Sequence, residues 1–147
     1  MLIIFDLDGT LAPDRLDSID PFERFLFPGV EQACHDLRKQ GHVLAIATNQ
    51  GGAIKNRPGR LTIAKVHNHL RWVCRTLGIT TYRFAVVPPR KKPSPAMLLE
   101  LMDEFGFGPE STIFVGDSHF DKGAAEAAGC QFIPAEEFFG PGTEASE

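Results

Sequence analysis

Leu2-Ile3-Ile4-Phe5-Asp6-Leu7-Asp8-Gly9-Thr10-Leu11 opens the chain and sets its architecture. Residues 2–5 form an apolar run of strand length, and Asp-Leu-Asp-Gly ends it in a turn. Asp6 and Asp8 stand two apart, so on an extended backbone their side chains leave on the same side. Two carboxylates held that close repel each other, and a hard cation is the usual remedy.

Downstream the same grammar recurs: apolar strand, polar turn, helix. A loop or flap is expected over 11–28, punctuated by Pro13, Pro21 and Pro28. A helix follows from Val30 to Gln40 with Gly41 at its C-cap. Val43–Ala47 reads as a second strand, and Thr48-Asn49-Gln50-Gly51-Gly52 as the polar turn after it. A helix from about Thr62 to Leu77, a third strand at Arg83–Val87 and a helix opened by Ser94-Pro95 come next. Thr112–Val115 and Gln131–Ile133 complete the strands, with a small-residue helix from about Phe120 to Ala128 between them. Strands alternating with helices predict an α/β fold. The expectation is a single three-layer Rossmann-like domain over 1–139, built on a mainly parallel five-stranded sheet, with a frayed tail over 140–147.

A chain of 147 residues, 43% apolar and 23% charged, can bury a core without disulfides. Cys34, Cys74 and Cys130 are far apart and odd in number, which speaks against a zinc site or a disulfide framework and for reduced, buried thiols. No apolar stretch reaches the roughly 18 residues of a membrane helix. Met1 runs straight into the first strand, so no leader is expected, and the protein is expected to be soluble and cytoplasmic. Between Asp36 and Glu100 lie twelve bases and no acid, while the flanks carry three bases against the chain's nineteen acids. That asymmetry fits an anionic partner for the middle and a cation for the ends; the opposing reading is that the charges pair across the fold.

In an open parallel sheet, ligands sit in the crevice beyond the carboxyl ends of the strands. The polar clusters of this chain fall at those ends: Asp6 and Asp8, Thr48 and Asn49, Lys91 and Lys92, and Asp117. Any one such Asp is ordinarily an Asx-turn or a helix cap, but four convergent clusters make a site. Asp117 supplies a third carboxylate, and Asp121 follows one helical turn later. Carboxylates without His or Cys suit Mg²⁺ rather than zinc. Thr48, the backbone N–H groups after it and Lys92 make an anion cradle facing them. Such a set suits phosphoryl transfer, with one Asp attacking in line and another protonating the leaving oxygen and then activating water.

Asp6-Leu7-Asp8-Gly9-Thr10-Leu11, Thr48-Asn49-Gln50, Lys92-Pro93-x-Pro95 and Val115-Gly116-Asp117-Ser118-x-x-Asp121 resemble the four ordered motifs of the haloacid dehalogenase-like phosphohydrolases. The T-N-Q and K-P-x-P-x-M forms resemble the subgroup of histidinol-phosphate and heptose-bisphosphate phosphatases and polynucleotide 3′-phosphatase. The resemblance implies a Mg²⁺-dependent phosphatase with Asp6 as nucleophile, forming an aspartyl-phosphate, and Asp8 as general acid and base. It further implies that Thr48 and the Asn49 N–H hold the phosphoryl group and that Lys92 bridges nucleophile and phosphate. Asp6, the Asp8 carbonyl and Asp117 would hold the metal, and Asp121 would ligate it through water or orient Lys92.

The zinc loop common in that subgroup and a large cap are both missing from the sequence. The expected site is therefore open, admitting large substrates or needing a neighbouring subunit, as in a homo-oligomer, to close it. The expected partner is a phosphorylated small molecule, or by the same chemistry a nucleic-acid 3′-phosphate end, and not a membrane. Lys55, Arg57 and Arg60 either grip an anion or form a solvated basic loop. Phe22, Phe25 and Phe27 read as packing against the domain body rather than as a lid, and Trp72 as partly buried core. His119, beside Asp117-Ser118, is within sequence reach of a substrate. Rival readings are a receiver-type phospho-acceptor domain, which needs its Asp at the end of the third strand where Pro88-Pro89 stand, and a binding module without catalysis.

Overall fold

The computed structural model describes residues 1–13, 25–51 and 62–140. Five strands and five helices alternate through them: β1 (Leu2–Phe5), α1 (Val30–Lys39), β2 (Val43–Asn49), α2 (Ile63–Leu77), β3 (Thr81–Ala85), α3 (Ala96–Phe105), β4 (Thr112–Gly116), α4 (His119–Ala128), β5 (Gln131–Pro134) and α5 (Ala135–Phe139). All strands are parallel, in the order β3-β2-β1-β4-β5. β1 is the central strand and is buried along its length. Phe5 is in register with Ile46 of β2 and Val115 of β4, so the chain leaves three adjacent strands at one level of the sheet.

The pleat sorts β1 into two cores. Ile3 and Phe5 join Val30 and Cys34 of α1 and Val66, Leu70 and Val73 of α2. Leu2 and Ile4 join Met97, Leu98 and Leu101 of α3 and the alanines 124, 125 and 128 of α4. This is the expected three-layer arrangement. The order 3-2-1-4-5 differs from the 2-1-3-4-5 order of flavodoxin-like sheets. Segments 6–29 and 50–62, which leave β1 and β2, are each shorter than the roughly 50 residues an added domain needs.

Several boundaries move. β2 continues through Thr48 and Asn49, which pair with Phe84 and Ala85 rather than turning. Its apolar run ends at Ala47, but the ladder to β3 does not. β3 starts and ends two residues earlier than expected: Thr81 and Tyr82 pair with Ala45 and Ile46, and Val87 lies beyond the strand. As an edge strand only Ala85 of it is fully buried, so it lacked a clear apolar signature. Pro95 is itself the N-cap of α3 rather than its first helical residue, and the Ser94 Oγ accepts from the Ala96 N–H at 3.2 Å. Helix α5 has only five residues, too few for its sequence to show a helical period.

Phe27 packs in the core as expected and Trp72 lies partly buried against it, whereas Phe25 and Ile63 are exposed. Phe22, most of the expected flap, Lys55, Arg57, Arg60 and the tail from 141 lie outside the described residues. Of the three thiols only Cys34 is fully buried; Cys74 and Cys130 are half-buried, and none of the three is in a disulfide. Burial pushes Cys34 and Cys74 up to about 12 and Cys130 to about 11, so all three stay protonated. No described helix is long and apolar enough to cross a membrane.

Helix α5 closes one end of the first core by setting Phe138 edge-on and Phe139 stacked against Phe5, with ring centroids 5.8 and 5.7 Å apart. Phe5→Ala should therefore cost about 3–5 kcal/mol, measured as a lower urea midpoint, because it removes a fully buried ring with two aromatic partners. A loss below about 1 kcal/mol would contradict this packing.

Candidate active site

The site begins where β1 stops. The Asp6 N–H still donates to Val115 O at 2.9 Å, after which the Leu7 carbonyl accepts from residues 10, 11 and 12 in a tight turn. Leu7 N–H donates to Asp6 Oδ1 at 2.8 Å and fixes that carboxylate. Gly9 sits in this turn at φ +77°, and a Cβ there would lie 2.0 Å from Asp117 Oδ2. Position 9 thus needs glycine twice, for its backbone angle and for the close approach of a carboxylate from β4's end.

Asn49, the last residue of β2, clips the next segment in place. Its Nδ2 donates to Lys92 O at 3.1 Å and its Oδ1 accepts from Lys92 N–H at 2.9 Å. The side chain of Lys92 then runs inward and is 4% exposed. Its Nζ donates to Ala47 O at 3.0 Å and to Asp121 Oδ1 at 2.5 Å, lies 3.1 Å from Asp6 Oδ1, and sits 5.0 Å from the centre of the Phe114 ring.

Asp121 is placed by the start of α4. Ser118 and Asp121 form a reciprocal capping box: Ser118 Oγ accepts from Asp121 N–H at 3.3 Å, while Asp121 Oδ2 accepts from Ser118 N–H at 3.2 Å. The same Oδ2 also accepts from Asp117 N–H and Ser118 Oγ, each at 3.1 Å. Gly116 leaves the room required, since a Cβ there would stand 2.4 Å from that oxygen.

Carboxylates outnumber the ammonium. Burial, reinforced by the charges of Asp121 and Asp8 and only partly offset by Lys92, pushes Asp6 up to about 8. Burial would lower Lys92, but Asp6 and Asp121 outweigh it and hold the ammonium protonated. Oxygens of Asp6, Asp117 and Asp121 lie within 4.8 Å of one another. An all-oxygen set with surplus negative charge fits a hard divalent cation. Asp121, however, already accepts from four donors, which leaves its oxygens little capacity for a cation.

A sequence profile of the haloacid dehalogenase-like hydrolases matches residues 22–135. The chain belongs to that family. The matched range starts beyond Asp6 and Asp8, so the first motif stands as independent support. A Pseudomonas putida phosphoglycolate phosphatase is 38% identical over 113 residues, 74% of this chain but 36% of its own length. A D-glycero-β-D-manno-heptose-1,7-bisphosphate 7-phosphatase from the same organism is 32% identical over 138 residues, covering 88% of this chain and 79% of its own. Among solved structures, the D,D-heptose 1,7-bisphosphate phosphatase of B. bronchiseptica, complexed with magnesium and phosphate, superposes at a TM-score of 0.79. It is 26% identical and the match covers 99% of this chain and 86% of that one. The chain thus spans little more than a third of the phosphoglycolate phosphatase it matches and most of the heptose-bisphosphate one.

In this haloacid dehalogenase-like fold the sequence-predicted residues converge in two linked groups. Asp6, Lys92, Asp117 and Asp121 form one; Asp8 and Thr48 meet through Gln50, whose Nε2 is 3.0 Å from Asp8 Oδ2 and 3.1 Å from Thr48 Oγ1. Gln50, the Asn49 side chain and Ser118 were missed as site groups. For Ser118 the signal was present, since Ser-x-x-Asp before a helix is a capping-box pattern. Clips between distant segments, such as Asn49 to Lys92, leave no local trace. The positive middle is partly neutralised: Arg83 pairs with Glu100 and Glu104, Arg90 with Glu100, and Lys92 with Asp6 and Asp121.

Removing Lys92 leaves two buried carboxylates facing each other. Lys92→Met should cost about 3–5 kcal/mol in urea unfolding, and adding Asp121→Asn should restore part of that loss. Strictly additive losses in the double-mutant cycle would show that the two groups do not interact.

Proposed function

We propose that this chain is a Mg²⁺-dependent phosphomonoesterase that works through an aspartyl-phosphate on Asp6. The observation that carries this reading is the buried Lys92 ammonium, 3.1 Å from Asp6 within a surplus of carboxylates at the end of the central strand. Asp6, Asp117 and the Asp8 carbonyl would hold the cation. When bound, it supplies positive charge to the phosphoryl oxygens and brings Asp6 into its ionised form.

An Asp6 carboxylate oxygen attacks phosphorus while the bond to the leaving oxygen breaks. Asp8 gives that oxygen a proton, then takes one from the water that attacks the phosphorus of the aspartyl-phosphate; phosphate leaves and Asp6 is regenerated. Thr48 and the Asn49 N–H orient the phosphoryl group, and Lys92 stabilises the charge on it. Asp121, with one oxygen on Lys92 and the other on three donors at the start of α4, serves to aim the ammonium.

The substrate class favoured is a small sugar phosphate, because the heptose-bisphosphate relative matches along most of both chains. A nucleic-acid 3′-phosphate is the second reading, motivated by the basic stretch from Arg38 to Lys92. Among the described residues, Arg83, Arg90 and Lys92 of that stretch face carboxylates of the chain itself, which weakens it.

Turnover of a panel of sugar phosphates, phosphoglycolate, nucleotides and 3′-phosphorylated oligonucleotides checks both. Activity should require Mg²⁺, vanish in EDTA and fall at least about a thousandfold in Asp6→Asn. Equal turnover by wild type and Asp6→Asn would refute the covalent route. A preferred oligonucleotide substrate, with KM rising steeply with salt, would establish the second reading instead.

A further inference from the structure

Gln50 is a buried polar residue for which the reaction above has no task. It follows β2 directly, is 5% exposed, and donates its main-chain N–H to Ala85 O at 2.8 Å. Its side-chain Nε2 reaches both Asp8 Oδ2 and Thr48 Oγ1. A carboxylate only accepts, so the NH₂ end of the amide, not its oxygen, must face Asp8. The two hydrogens of that nitrogen are then divided, one to Asp8 and one to Thr48. Thr48 is therefore an acceptor toward Gln50, and its single hydroxyl proton must point elsewhere. Its donor contact is Asn49 O at 3.5 Å, the long limit of a hydrogen bond and easily exchanged for an anion's oxygen.

We propose that Gln50 is a positioning residue that sets the polarity of two groups at once. It makes Thr48 a donor toward the transferred phosphoryl group, and it holds Oδ2 of Asp8 so that Oδ1 faces the leaving oxygen. This rests on the phosphomonoesterase reading. As Asp6 bonds to phosphorus and the leaving bond breaks, the proton on Asp8 Oδ1 passes to the leaving oxygen; Oδ2 accepts from Gln50 before and after the transfer. Both of Gln50's contacts thus serve one half-reaction, but only the contact to Asp8 depends on whether the leaving group needs a proton.

Gln50→Leu and Gln50→Met roughly keep the volume and remove the donors. The test compares kcat/KM, which reports formation of the aspartyl-phosphate, on an alkyl phosphate and on p-nitrophenyl phosphate, whose leaving group departs without protonation. Both variants should lose about 100-fold on the alkyl ester, from misplaced acid catalysis. On the aryl ester they should lose only about tenfold, from the Thr48 contact. Thermal melting reports whether the variants stay folded, and melting points near wild type are expected. Equal losses on the two substrates, or none, from folded variants would overturn the proposal. A wild type that hydrolyses neither ester would instead overturn the phosphomonoesterase reading, and this inference would fall with it.

Discussion

The buried ammonium of Lys92 is the constraint around which this molecule is arranged. An isolated charge at that depth is strongly disfavoured, so everything near it supplies compensation: Asp6, Asp121, the Ala47 carbonyl and the face of Phe114. These partners come from the residue after β1, from α4, from β2 and from β4. One side chain thereby touches the ends of the sheet's central strands and the helix beside them. Carboxyl groups still outnumber the ammonium, because Asp8 and Asp117 add to Asp6 and Asp121. A site that is anionic around a single fixed cation is suited to receive a second cation together with an anion.

Backbone devices deliver the side chains to that point. The Gly9 turn lets Asp117 close over the end of β1, and the Asn49 amide fastens the Lys92 peptide to the end of β2. The capping box at Ser118 gives Asp121 its orientation. At the capping box an element's terminus, where backbone groups lack partners within the element, is satisfied by a side chain that also shapes the site.

The charge pattern along the chain is in part paired across the fold. Twelve bases without an intervening acid look like a surface for a polyanion. In the fold, α3 brings Glu100 and Glu104 against Arg83 and Arg90, and β1 and α4 bring acids to Lys92. Sequence segregation of charge is not spatial segregation, because a parallel sheet with crossover helices interleaves distant segments.

The chain's own letters determined the α/β class, the strand ends that carry polar residues and the identity of the convergent acids and lysine. Those signals are local: apolar runs of strand length, helical stripes, and turn residues at fixed offsets. Tertiary structure alone decided that Thr48 and Asn49 continue a strand, that β3 begins at Thr81, and that Phe138 and Phe139 close on Phe5. It also decided that Asp121 faces Lys92, and that Gln50 reaches back across 42 positions of sequence to Asp8. These depend on pairing between segments far apart in the chain, and such partners are chosen by the packed fold rather than by neighbours in sequence.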